Sequence, residues 1–398
     1  MIFSTVNNMN RHSSALAVLV IAPLIAATGT GVDAARLKQI PARMQKYVDD
    51  QSISGVVTLV AHNGQIVELD AVGYSDVEKK KPMKTDSIVQ IMSQTKTFTG
   101  VAAMMLVDEG KLDLTRPVQD YLPEFKGQLV ELNGATHKPE HPITVLQVAS
   151  HTSGFAFLPA AGPLHRINFT LDKTLEEAVR GYAQEHLINE PGSKYLYSNM
   201  GIATLGRIVE VVSGEEYAHF VQTHILDPLG MKDTFYFPPD SKKDRIAMIY
   251  QHDDGKLALS RDRAQGGDPA LYRPGARYAG PELALYSTAS DLFRFYQMLA
   301  NGGEFGGKRL ISKRAVEAMH QDYTPNHNGY GVGTSISGER SLVNLVAPGS
   351  FGHGGAFGTL GQIDPKNDLV VVFLPQMNDG SANAAKNAFL QMAESAVQ

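Results

Sequence analysis

The chain has 398 residues, is 43% hydrophobic and 19% charged, and carries a formal net charge of −5 with no cysteine and no tryptophan. This is globular composition, long enough for one large or two smaller domains, so disordered and fibrous classes are excluded. Without cysteine there is no disulfide framework, thiol nucleophile, thiolate zinc site, iron–sulfur cluster or acylated lipoprotein anchor, and with no basic run longer than Lys79-Lys80-Lys81 no nucleic-acid partner is expected.

Residues 1–34 read as a secretory leader. Arg11 and His12 precede the apolar run Ala15 to Ala27, about the 7–15 residues of a signal h-region and short for a membrane span. Val32-Asp33-Ala34 fits a small-residue cleavage site. The expectation is an exported protein with no stable membrane anchor, working in the periplasm or outside the cell.

Leu37, Ile40, Met44 and Val48 fall at helical spacing, which predicts a first helix over 36–50. Gly55–Ala61 and Ile66–Val72 are β-rich runs around Asn63-Gly64, a hairpin signal. A helix is predicted from Ser93 to Glu109, stopped by Gly110. Short helices are predicted over Ile143–Ser150 and after the capping-box pattern Thr174–Glu177. Asn199–Ser213 reads as a helix ended by Gly214, and Ser290–Leu299 as another. Tyr330–Ile336, Leu360–Ile363 and Leu369–Leu374 read as strands, with a turn at 364–368. A helix over Ala382–Val397 closes the chain.

Strands at both ends and helices between them predict a mixed α/β (α+β) fold. An antiparallel sheet flanked by helices would come from residues 35–85 plus 285–398, with 86–284 inserted as a mainly helical domain.

Three short constellations can carry chemistry. In Ser93-Gln-Thr-Lys96 the hydroxyl and amine share one helix face, so the amine can activate a serine that is a poor nucleophile alone. The helix N-terminus also favours developing negative charge. Tyr197-Ser-Asn199 follows Pro191-Gly192, which puts the tyrosine on a loop at the mouth of a helix. A tyrosine held near cations can lose its proton below its ordinary pKa and act as a base. Phe351-Gly-His-Gly-Gly-Ala356 packs glycines around one histidine, a sign of backbone in close approach. Each is common alone. Together they keep the order SxxK, YxN, HGG at spacings of roughly 100 and then roughly 150 residues.

That ordered set resembles the serine β-lactamase and penicillin-binding-protein superfamily, on the class C side. That side also holds D-alanyl-D-alanine peptidases, D-aminopeptidases and family VIII carboxylesterases. Ser150-His-Thr-Ser-Gly154, Ile225–Met231 and Tyr286-Ser-Thr-Ala-Ser-Asp291 agree with the family's habits, so the resemblance covers about residues 36–395. It implies an active site between a sheet layer and a helical domain. It implies Ser93 as the acylated nucleophile, Lys96 as its proton partner and Tyr197 as general base and then acid. Asn199 would orient Lys96 and the acyl chain. The backbone N–H groups of Ser93 and Ala356 would form an oxyanion hole. His353, Gly354, Gly355 and Ala356 would line the substrate site, with no metal or organic cofactor.

One position departs from the β-lactamase pattern. Class C β-lactamases carry Lys-Thr-Gly where this chain has His353-Gly354-Gly355. A lysine there supplies a fixed charge for the β-lactam carboxylate, whereas histidine is mostly neutral at pH 7. The expectation is therefore a carboxylesterase acting on small esters. β-Lactamase, D-alanyl-D-alanine peptidase and D-aminopeptidase activity are the enzymatic alternatives, and a silent β-lactam or peptidoglycan sensor is the non-enzymatic one.

His137, Glu140 and His141 are set aside as a metal site because Pro139 and Pro142 bar the helical ligand geometry. Gly302–Lys308 is set aside as a phosphate loop because Arg309 stands where a magnesium-binding hydroxyl is needed. Oligomeric state is not legible.

Overall fold

The computed structural model describes residues 31–260, 275–338 and 344–397. The predicted leader, apart from its last four residues, lies outside them.

One seven-stranded antiparallel sheet organises the chain. Its order is 335–336, 351–354, 360–364, 369–375, 55–62, 65–76, 81–82. The first and last thirds of the sequence therefore join in one layer along the seam between 369–375 and 55–62. The central pairing sets Val56 opposite Pro375 and His62 opposite Leu369. The hairpin turns at Asn63 (φ 51°) and Gly64 (φ 75°), the left-handed pair a two-residue turn requires.

Every residue of Gly55–His62 is buried, and its alternation serves two cores. Val57, Leu59 and Ala61 face a core shared with the helices Thr95–Asp108, Asn199–Ser213 and Ala289–Ala300. Val56 and Val60 face the helices Ile40–Asp49 and Ala382–Glu394. Each fully buried valine or leucine contributes about 1.5–3 kcal/mol relative to exposure, so both layers are held firmly. The first core runs without a break from the sheet into the helices of 86–284.

Local readings meet the structure with small differences. Pro41 sits in the first turn of Ile40–Asp49, so the first helix starts there, after the short helix Ala34–Leu37. Thr144 and Thr174 both close capping boxes, and Gly214 ends its helix with φ 77°. Only Ser335–Ile336 of the strand predicted over 330–336 pairs as one. The chain turns back before it: Gly331 N–H donates to the Thr334 carbonyl, Gly333 has φ 66°, and Tyr330 bridges Ser335. Val32 pairs with Val397, and Asp33 caps the first short helix.

Candidate active site

Ser93 lies in a single 3₁₀ turn, Met92–Gln94, that feeds the helix Thr95–Asp108. Met92 has φ 52°, a left-handed conformation that costs a non-glycine residue about 1–2 kcal/mol. This strained turn lifts Ser93 to the head of the helix, and Ser93 is half-buried where its neighbours are fully buried. The helix is buried on nearly all sides, so its first turn cannot rock. Thr95 Oγ1 accepts the Leu285 N–H at 3.2 Å, and Thr99 Oγ1 donates to the Pro281 carbonyl at 2.6 Å.

Lys96 is fully buried. Its Nζ donates to Ser93 Oγ at 3.0 Å and to the Glu282 carbonyl at 2.8 Å. Burial pushes its pKa down, and the Glu282 carboxyl pulls it part of the way back. A buried amine with a lowered pKa is a competent proton acceptor near neutrality.

Tyr197 is reached from the other side. Its hydroxyl faces the Ser93 side chain, which favours its ionised form, and Lys96 Nζ lies 4.8 Å from its ring centroid. The loop is pinned by the 151–157 segment: Ser198 N–H donates to His151 Nδ1 at 3.0 Å, and Asn199 N–H to the Phe157 carbonyl at 3.0 Å. Ser198 caps the following helix through Gly201 N–H. The expected lowering of the tyrosine pKa does not occur. Burial raises it, the Ser93 side chain opposes that only in part, and nearby Tyr195 and Glu282 add to the rise. Lys96 Nζ lies over the ring face and makes no hydrogen bond to the phenolic oxygen, so burial favours the neutral O–H form of Tyr197 in the resting site.

Asn199 is buried beside this group, and its Oδ1 has no hydrogen-bond partner. The expected orientation of Lys96 by Asn199 is corrected: the Glu282 carbonyl does that work. Asn199 Oδ1 is left free for another donor.

His353 sits on the strand Phe351–Gly354, buried. Its Nδ1 lies 2.6 Å from the Gly354 carbonyl, and its Nε2 lies 3.0 Å from the Tyr330 hydroxyl. A carbonyl can only accept, so Nδ1 carries the proton and Nε2 accepts from Tyr330. Burial, aided by the Lys96 charge, pushes the ring's pKa down to about 3. Gly355 forms the turn after the strand: its N–H donates to the Thr359 carbonyl at 2.8 Å. A side chain at Gly355 would lie 2.3 Å from the Ile91 carbonyl, so glycine lets this turn touch the segment leading to Ser93. Ala356 follows on the exposed side. Its N–H has no backbone acceptor among the described residues, which leaves it available to a developing oxyanion.

Three further residues complete the group. Tyr330 fixes His353. His151 packs between Tyr197 and Tyr330, with ring centroids 4.3 and 4.4 Å away. Burial, with the charges of Lys96 and His353 adding to it, keeps His151 neutral. Glu282 backs Lys96. In the sequence, the signal for Glu282 was a lone acid inside the apolar run Pro281–Tyr286. Tyr330 had only its flanking glycines, and His151 carried no signal beyond its short motif.

His137 Nε2 pairs with Glu190 at 2.6 Å on the surface. Among the described residues no group of three or more His, Asp or Glu is placed to hold a metal ion. None of the described helices is long and apolar enough to cross a membrane.

A serine at a helix head, a buried amine on its oxygen and a neutral tyrosine opposite define a serine hydrolase of the acyl-enzyme type. The Beta-lactamase family model matches residues 40–394, and the chain belongs to that family. Protein Rv1367c of Mycobacterium tuberculosis is 30% identical over 365 residues, covering 84% of this chain and 88% of that protein. A putative D-alanyl-D-alanine carboxypeptidase of Salmonella agona is 26% identical over 367 residues, covering 86% and 83%. Among solved structures, EstCE1, a hydrolase with promiscuous acyltransferase activity, matches with TM-score 0.78 and 25% identity over 91% of this chain and 99% of that one. A penicillin-binding protein homologue from Caulobacter crescentus shares the fold at TM-score 0.72 and 22% identity, covering 91% and 97%.

Proposed function

We propose that this hydrolase is a carboxylesterase that acts on small neutral esters through an acyl-Ser93 intermediate. The observation that carries this reading is the state of His353. Where class C β-lactamases carry a cation for the substrate carboxylate, this chain places a neutral ring whose two nitrogens are both occupied. The half-exposed ring of Phe157 lies 6.1 Å from that of Tyr197, which adds an uncharged, apolar border.

The proton moves in a closed cycle. Lys96 takes the Ser93 proton as Oγ attacks the ester carbonyl. The oxyanion forms against the N–H groups of Ser93 and Ala356. Tyr197 donates its proton to the departing alkoxide, which leaves as the alcohol, while Lys96 keeps the proton it took from Ser93. Water then attacks the acyl carbon and gives its proton to the Tyr197 oxygen, and Lys96 returns its proton to Ser93 Oγ as the acid leaves.

Hydrolysis of p-nitrophenyl butyrate, a chromogenic cephalosporin and a D-alanyl-D-alanine peptide tests the reading. Ester turnover should dominate, and Ser93→Ala should abolish both turnover and labelling by a fluorophosphonate. Preferential cleavage of the D-alanyl peptide, the activity named for the Salmonella relative, would replace it.

Export belongs to the same proposal. Cleavage after Ala34 would remove Val32 and Asp33, which pair with the C-terminal segment and cap a helix. On this reading we expect the mature N-terminus at or before Gly31, not after Ala34. Intact mass of protein recovered from the periplasm of a bacterial host checks this. A first residue after Asp33 would reject it.

A further inference from the structure

Glu282 is fully buried, and the proton cycle above does not use its carboxyl. Its backbone carbonyl holds Lys96 Nζ at 2.8 Å. Its Oε1 accepts the Tyr278 hydroxyl at 2.9 Å, and its Oε2 has no hydrogen-bond partner. The segment is held against the nucleophile's helix at three points, through Thr95, Lys96 and Thr99. The carboxyl therefore cannot swing out to solvent. A buried carboxyl kept half-satisfied is expensive, and a neutral side chain would fill the same space.

The surroundings say what it acts on. Tyr278 lies on its own segment. Tyr182, Tyr197, Tyr217 and Tyr236 feel its field from four other elements. All of these hydroxyls are pushed up by burial and stay neutral. Among the described residues, Lys96 is the charged side chain whose field lowers the Glu282 carboxyl pKa. The backbone carbonyl of Glu282 holds Lys96 Nζ at 2.8 Å, so the buried carboxyl of the same residue acts on that amine through its field, away from water.

We infer that Glu282 is a positioning residue for the proton of Lys96: its buried carboxyl, on the residue whose carbonyl holds the amine, favours the lysine cation through its field, so the pair rather than the lysine alone sets when Ser93 is reactive. With Glu282 ionised, Lys96 keeps its proton and cannot take another. With Glu282 protonated, the amine is free to accept from Ser93. The inference rests on Lys96 as proton acceptor and holds for any acyl substrate.

The sign follows. Removing the carboxylate removes the attraction that favours the lysine cation. Lys96 then stays neutral to lower pH, and the acid limb of Ser93 reactivity moves toward acid. The test is the pH dependence of Ser93 labelling by a fluorophosphonate, alongside kcat/KM for p-nitrophenyl butyrate. Glu282→Gln should shift the acid limb down by at least about one pH unit, a tenfold change in the lysine's proton affinity. Glu282→Asp should restore the wild-type limb. Tyr278→Phe, which weakens the ionised carboxylate without removing it, should shift the limb the same way by less, and it decides the case if the glutamine variant does not fold. A lower plateau with an unmoved limb in folded Glu282→Gln, or in Tyr278→Phe, would overturn the inference. Absence of Ser93 labelling in the wild type would instead reject the serine-hydrolase reading itself.

Discussion

The Tyr330 hydroxyl donates to His353 Nε2 at 3.0 Å, and this one bond removes the histidine from charge recognition. Nδ1 is already committed to Gly354. A proton added to Nε2 would turn the Tyr330 hydroxyl from donor to acceptor and put a second charge, out of water, beside Lys96. Burial, with the Lys96 charge adding to it, thereby keeps the ring at this strand position neutral near pH 7.

Restoring a cation there should change the preference. His353→Lys is expected to raise the ratio of cephalosporin to ester kcat/KM by at least about tenfold, or about 1.4 kcal/mol. It also buries a second ammonium near Lys96, so the melting temperature should fall. Steady-state kinetics on both substrates and a thermal melt check this. An unchanged ratio in a folded variant would count against the account of position 353.

The neutral state of Tyr197 makes a prediction that separates donor from base. Tyr197→Phe removes the proton supplied to the leaving group. An ethyl ester, whose alkoxide must be protonated, should lose about 10²–10³-fold in kcat. A p-nitrophenyl ester, which leaves as a stable anion, should lose about tenfold or less. Equal losses on the two esters would return the tyrosine to the role of base.

Gly355→Ala should damage chemistry more than binding. Its Cβ would lie 2.3 Å from the Ile91 carbonyl and 2.2 Å from Thr359 Oγ1. Backbone cannot yield cheaply, so the turn shifts and carries the Ala356 N–H away from the oxyanion. Losing one such donor lowers kcat by about 10²–10³-fold. KM should change little, and fluorophosphonate labelling should slow in parallel.

Acid stability has a local anchor. Asp379 accepts the N–H and Nδ1 of His252 and the N–H of Ser381. With burial opposing them, these bonds lower its pKa to about 2. A depressed carboxylate stabilises the fold above its unfolded pKa of about 3.9, and that share is lost as pH falls from about 4 to about 2. The site is largely exposed, so Asp379→Asn should cost about 1 kcal/mol at pH 7 after screening, and almost nothing at pH 2. Urea melts at the two pH values measure the difference.

Much of this protein was legible one residue at a time. The Asn63-Gly64 turn, the capping threonines at 144 and 174 and the stop at Gly214 follow from local backbone chemistry, which neighbours in sequence determine. The spacing of Ser93 and Lys96 is equally local, because one helical turn brings them together. The order of the three motifs identified the family for the same reason: type and spacing are written in the chain. What the sequence could not decide is what depends on burial and on partners far away in the chain. The charge of His353 depends on Tyr330 and on lost water. The direction of the Tyr197 pKa depends on where the Lys96 ammonium sits relative to its ring. The orientation of Lys96 comes from a carbonyl 186 residues away rather than from Asn199. Only the folded chain removes water from these groups and sets them at hydrogen-bonding distance, and those two effects decide which of them carries a proton.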